Sequence, residues 1–163
     1  MGSGKTTVGR ALAGALGVPF VDLDGVIEAQ AGMPVRDIFA RQGEPAFREL
    51  EHQALVEVSS LPAAVVATGG GTITFPRNLD ILHRTGISVW LNPSFATIMR
   101  RIGALGKRDR PLFRGEAEAL ALYRSRLDAY RRADLRVDVG VDETPEEVAA
   151  RIALRLETSD CGT

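Results

Sequence analysis

Gly2-Ser3-Gly4-Lys5-Thr6-Thr7 stands at the head of the chain, and an amphipathic helical pattern follows it directly. Gly4, Lys5 and Thr6 fill the last three positions of the phosphate-binding signature G-x-x-x-x-G-K-[ST]. Its first glycine would fall just ahead of Met1. Small residues in such a loop let successive backbone N–H groups curl around an anion, and the positive end of a helix adds to the field. Lys5 is placed to reach the β- and γ-phosphates of a nucleotide, and the Thr6 hydroxyl to face Mg2+. Two ordinary readings compete: a flexible leader that caps a helix, and an acylation pattern formed by Gly2 and Thr6. Neither makes use of a lysine beside the helix start.

Further along, Asp22-Leu23-Asp24 closes a short apolar stretch. On an extended segment, residues two apart point the same way, so both carboxylates are expected to face one site. One would hold Mg2+ through water and the other accept a proton from a hydroxyl. The ordinary reading is that one of the two aspartates merely caps the next helix. Gly69-Gly70-Gly71 lets a ligand approach bare backbone, although a glycine triplet alone is often only a turn. Arg48 sits in a helical pattern with Glu51 three residues on, on the same face and able to steer the guanidinium. By itself Arg48 reads as a solvated surface arginine. Lys107-Arg108-Asp109-Arg110-Pro111-Leu112 forms a cationic stretch suited to close over nucleotide phosphates. Arg126 follows among several arginines, and spacing does not say which of them faces a ligand. His52 and His83 have no metal-ligand spacing, and Trp90 reads as core.

The elements that must position these residues alternate between strand and helix. Val8, Ala11, Leu12 and Leu16 give one helix a buried face, which Gly17-Val18-Pro19 ends. Phe20 to Asp22 reads as a strand, and residues 25–60 as helical pieces broken near Gly32–Pro34 and at Gly43. The runs from Ala63 to Thr68 and from Ile87 to Leu91 read as strands buried on both faces. A helix starts at Pro76, Ser94 caps another, and a third runs from beyond Gly115 to Arg132. Leu135 to Val139 is the last strand, and Pro145 opens a C-terminal helix. Such alternation implies a parallel sheet covered on both faces, with ligands at the carboxyl ends of its strands. The phosphate loop, the aspartates and the glycine triplet all fall at such ends.

Composition sets the class. The 163 residues suit one domain, and 45% hydrophobic with 25% charged content is ordinary for a globular protein. A formal net charge of −1 gives no basic field for nucleic acid or an anionic membrane. The single Cys161 precludes an internal disulfide. No signal peptide or membrane-length apolar run is present, so a cytoplasmic monomer is expected.

Taken in order, these motifs resemble the shikimate kinase family. They are Gly-Ser-Gly-Lys-Thr-Thr-Val-Gly-Arg, Asp-x-Asp with Ile27-Glu28, Gly43-Glu44-x-x-Phe47-Arg48-x-x-Glu51, the glycine triplet, Arg110-Pro111-Leu112 and Arg126-x-x-x-Tyr130. The resemblance runs from Gly2 to the C-terminal helix. It implies a single kinase domain over residues 1–163, with a lid at about 103–115 and a polar tail at about 158–163. The implied fold is a three-layer α/β/α P-loop kinase with a parallel sheet. It also implies ATP-dependent phosphorylation of the 3-hydroxyl of shikimate, with Mg2+, in chorismate and aromatic amino-acid biosynthesis.

By position, Asp24, Arg48, Gly69, Gly70, Gly71 and Arg126 take the shikimate-binding places, the two arginines clamping its carboxylate. Gly2, Ser3, Gly4, Lys5, Thr6 and Thr7 bind the ATP phosphates, with Thr6 on the metal and Asp22 behind it. Lys5, Asp24 and Arg110 are the catalytic candidates, Arg110 as the lid arginine on the transferred phosphoryl group. Arg101 and Pro145 take the adenine-flanking places.

The departure from the family lies at the start, where the family has a strand and the first loop glycine before the position of Met1. That strand is expected between the Ala63–Thr68 and Ile87–Leu91 strands, leaving the sheet without its central member. Gluconate kinases share the loop and the fold, but the Arg48 motif and the glycine triplet favour shikimate. A non-catalytic, ligand-sensing domain of the same type is the other alternative. It would carry a helix-turn-helix segment, which this chain lacks.

Overall fold

The computed structural model describes residues 2–105 and 115–160. Helix α1 (Lys5–Leu16) ends on Gly17, whose φ of 67° lies in the left-handed region that glycine adopts without strain. Strand β1 (Phe20–Asp22) feeds α2 (Leu23–Ala31), and α3 (Val35–Val58) follows with a kink at Gly43, as the sequence suggests. Then come β2 (Val65–Ala67), a 3-10 turn (Thr72–Thr74), α4 (Pro76–Thr85), β3 (Val89–Pro93) and α5 (Phe95–Leu105). Helix α6 (Glu116–Tyr130), β4 (Leu135–Val139) and α7 (Pro145–Asp160) complete the described chain. The hydroxyl of Ser94 accepts from Thr97 N at 3.2 Å, the cap expected at the head of α5.

Helices cover both faces of the strands. Val8, Leu12, Leu91, Val137, Val148 and Ile152 form one core cluster that joins α1 and α7 to β3 and β4. Leu23, Ile27, Ile38, Phe47 and Leu55 form the other, between α2, α3 and the opposite face. Adjacent Val65 and Val66 pack on different clusters, as alternation along a strand demands. Gly9 on α1 lets the helix close on β1, since a Cβ there would lie 2.7 Å from the Phe20 ring.

Among the described residues the strands form two parallel pairs, β1 with β2 and β3 with β4. The second edges of β2 and β3 face one another, because residues of both line one apolar cavity of about 660 Å3. Ala67 is buried while Val65 and Val66 are only half-buried, so the expectation of a strand enclosed on both faces is met in part. Two strand limits differ from those read in the sequence. The Ala63–Thr68 run contracts to Val65–Ala67, which is the stretch paired with Phe20–Asp22. The Ile87–Leu91 run shifts to Val89–Pro93 because pairing with Leu135–Val139 carries the ladder onward. Ile87 is left exposed. Helix α7 continues through Asp160, into the polar stretch read at 158–163. Trp90 is half-buried rather than enclosed. No helix among the described residues is long and apolar enough to cross a membrane.

Candidate active site

Helix α1 begins at Gly4, whose φ of 92° turns the chain into the helix with no side chain capping the first turn. The N–H groups of such a first turn point out of the helix start, toward an anion placed before it. Gly2, at φ 64°, shapes the same turn. Lys5 Nζ donates to Ser3 Oγ at 3.4 Å, and Thr7 Oγ1 donates back to the Gly4 carbonyl at 2.9 Å. Arg101, from α5, donates to the Ser3 carbonyl at 3.2 Å and so braces the loop from the far side.

Thr6 Oγ1 donates to Asp22 Oδ2 at 3.1 Å. Asp22 uses its other oxygen to cap α2, accepting from Asp24 N at 3.3 Å. One aspartate of the pair does cap the helix, and it is Asp22; the expectation that both sit on one extended segment is corrected. Asp24 lies in the first turn of α2 and reaches the site from a helix. Its carboxyl is accessible from the open cavity yet ringed by protein. Desolvation pushes its pKa above the usual carboxylate value, and the charges of Asp22 and Glu51 push the same way while Lys5 opposes them.

Arg48 is not a solvated surface arginine. Its side chain is 11% exposed, and it donates from Nη1 to Glu51 at 3.2 Å and from Nη2 to Glu44 at 2.6 Å. Its guanidinium carbon lies 5.2 Å from the ring centres of both Phe47 and Phe75. Glu51 is fully buried and also accepts from Thr72 Oγ1 at 2.7 Å. Asn78, buried, donates to the Thr72 carbonyl at 3.2 Å and holds that turn. The glycine triplet is explained by these neighbours. A Cβ on Gly69 would meet Glu51 Oε1 at 2.8 Å, and one on Gly71 would meet Arg48 Nη1 at 2.8 Å. At those two positions the missing side chains make room for protein atoms.

One cavity of about 960 Å3 gathers these groups. Gly2, Ser3, Gly4, Lys5, Thr6, Thr7, Asp22, Asp24, Arg48, Gly69, Gly70, Gly71, Arg101, Arg126 and Pro145 all line it. Arg110, with most of the expected lid, lies outside the described residues. The wall also contains Phe39, which the sequence did not single out, and Phe47 and Glu28, which it gave only as parts of the motifs. Glu28 Oε1 accepts from Val35 N at 2.9 Å and ties α2 to the head of α3. The cleft between β2 and β3 shares Lys5, Gly69, Gly70 and Arg126 with this cavity, so sheet and site have a common wall.

No group of three or more His, Cys, Asp or Glu side chains among the described residues is placed to hold a metal ion. Mg2+ in phosphoryl-transfer sites needs no such cage, because it takes one or two protein ligands and fills the rest with phosphate oxygens and water. The Thr6–Asp22 pair beside the phosphate loop fits that requirement.

A phosphate loop at a helix N-terminus, sharing one cavity with an aspartate from α2 and a paired arginine from α3 beside parallel strands, defines a P-loop kinase acting on a small acceptor. The family model described as shikimate kinase matches residues 1–157. The shikimate kinase of Thermosynechococcus vestitus is 47% identical over 164 residues, covering 99% of this chain and 86% of its own. That of Geobacter sulfurreducens is 44% identical over 156 residues, covering 94% and 84%. Among solved structures, the shikimate kinase of Acinetobacter baumannii in complex with shikimate superposes with a TM-score of 0.91 at 35% identity, covering 100% of this chain and 91% of that one. The Aquifex aeolicus enzyme gives 0.85 at 31%, covering 100% and 95%. The chain belongs to the shikimate kinase family and is, by that membership, an ATP-using phosphotransferase.

Proposed function

We propose that this chain transfers the γ-phosphoryl group of ATP to the 3-hydroxyl of shikimate, as one soluble domain acting as a cytoplasmic monomer. The observation that carries this reading is the single cavity in which the phosphate loop, Asp24 and two arginines meet. Nothing in the net charge of −1 favours nucleic acid or a membrane surface as a partner.

On this reading the residues take the following roles. Gly2 to Thr7 cradle the phosphates with backbone N–H groups, and Lys5 balances their charge. Thr6, oriented by Asp22, supplies a ligand to Mg2+, which would neutralise charge building on the phosphates. Asp24 takes the proton of the attacking hydroxyl, and its raised pKa makes it a stronger acceptor than an ordinary carboxylate. Arg48 and Arg126 clamp the acceptor's carboxylate, with the glycine triplet supplying backbone between them. Arg101 and Pro145, which line the cavity, would flank the adenine. Arg110 would stabilise charge on the transferred group.

A coupled assay for ADP with shikimate, gluconate or no acceptor tests the assignment. ADP release dependent on shikimate supports it. Release dependent on gluconate would transfer the chain to the gluconate kinases, and shikimate binding without any release would indicate a sensing domain.

A further inference from the structure

Tyr130 has no part in the chemistry above, yet it joins two residues that do. Its hydroxyl donates to the Gly70 carbonyl at 2.7 Å, across 60 residues of sequence. Arg126 lies one helical turn earlier on α6, on the same face, where its charge acts on the phenol, and it lines the same cavity as Gly70. Burial pushes the phenol's pKa up, outweighing the opposing pull of the Arg126 charge, so the hydroxyl remains a donor at neutral pH. The ring is held separately, 5.8 Å from the centre of Trp90 on β3.

The Gly70 bond also fixes a direction. In a planar trans peptide the carbonyl and the next N–H point opposite ways. Holding the Gly70 carbonyl toward α6 therefore aims the Gly71 N–H away from it. On the other side, an arginine held in place before binding loses less freedom when an anion arrives. One phenol thus ties the turn that carries the arginine to the backbone plane beside it.

We propose that Tyr130 is a positioning residue for the acceptor's carboxylate, its hydroxyl tying the α6 turn that carries Arg126 to the Gly70 backbone so that the two form one anion site. This rests on the functional reading given above. Tyr130→Phe tests it, because the substitution removes the hydroxyl and keeps the ring against Trp90. The expected result is a shikimate KM raised about tenfold, with kcat within twofold, the ATP KM unchanged and a similar melting temperature. Calorimetric titration with shikimate should show the same loss of affinity without turnover. An unchanged shikimate KM in a folded variant overturns the proposal. So does a collapse of melting temperature, or a rise in both KM values together, since either marks a purely structural role. If the unsubstituted chain neither binds nor phosphorylates shikimate, the functional reading fails and this inference falls with it.

Discussion

Replacing Glu51 by glutamine removes one charge from a pair that the fold has taken out of water. Glu51 is fully buried, its partner Arg48 is 11% exposed at the side chain, and they are joined at 3.2 Å. The amide oxygen of glutamine can still accept from Thr72, as Glu51 Oε1 does at 2.7 Å. Its NH2 group would then face the Arg48 N–H, a donor against a donor. Breaking a buried pair by removing one partner costs about 3–5 kcal/mol. Glu44 still holds Arg48 at 2.6 Å, but its side chain is 50% exposed and the pairing is screened by solvent. The net loss should be about 2–3 kcal/mol, out of a total that is ~5–15 kcal/mol for a typical domain. At about 2–4 °C per kcal/mol, the melting temperature should fall by roughly 5–10 °C. Urea unfolding monitored by circular dichroism measures the stability, and initial rates at varied shikimate measure the site. The shikimate KM should rise because Arg48 is no longer held. A double variant, Arg48→Met with Glu51→Met, should recover much of the stability and none of the affinity. A loss below about 0.5 kcal/mol with unchanged KM would refute the claim that this pair anchors the site.

Asp24→Asn should lower turnover by at least about 100-fold, the usual scale for a lost general base. It should also raise the melting temperature near pH 7. The folded state favours the protonated carboxyl, so ionisation at neutral pH costs stability that asparagine does not lose. That gain should shrink as pH falls toward the ordinary value of 3.8 and vanish below it, which pH-dependent melts would reveal. Gly71→Ala drives a Cβ to 2.8 Å from Arg48 Nη1. At about 1–3 kcal/mol for overpacking, the shikimate KM should rise about tenfold or more, while the ATP KM measured in the same assay stays constant.

Local pattern and long-range contact divided what could be read in advance. Helix α1 and strand β4 carry their own signals, a four-residue apolar spacing closed by Gly17 in one and alternating burial in the other. The ends of β2 and β3 carry none, because a short parallel strand stops where its neighbour stops. The phosphate loop was legible as a contiguous motif. The acid pair was found for a partly wrong reason, since a chain that switches from strand to helix between Asp22 and Asp24 no longer follows the period of two. Glu51 was expected to steer Arg48, but its bond to Thr72, 21 residues away, leaves no trace in spacing. The same holds for Tyr130 and Gly70. The glycine triplet was visible, yet the clearance it gives Arg48 and Glu51 emerges only once the helices are packed.

The central claim is phosphoryl transfer to one particular hydroxyl, and the product tests it most directly. Purified chain, ATP, Mg2+ and shikimate should be incubated together and followed by phosphorus and proton NMR. The account predicts a new phosphate ester whose coupling places it on the 3-carbon of shikimate, formed with equimolar ADP and at least about 100-fold more slowly when Asp24 is asparagine. ADP accompanied only by inorganic phosphate, or an ester at another hydroxyl, would contradict it.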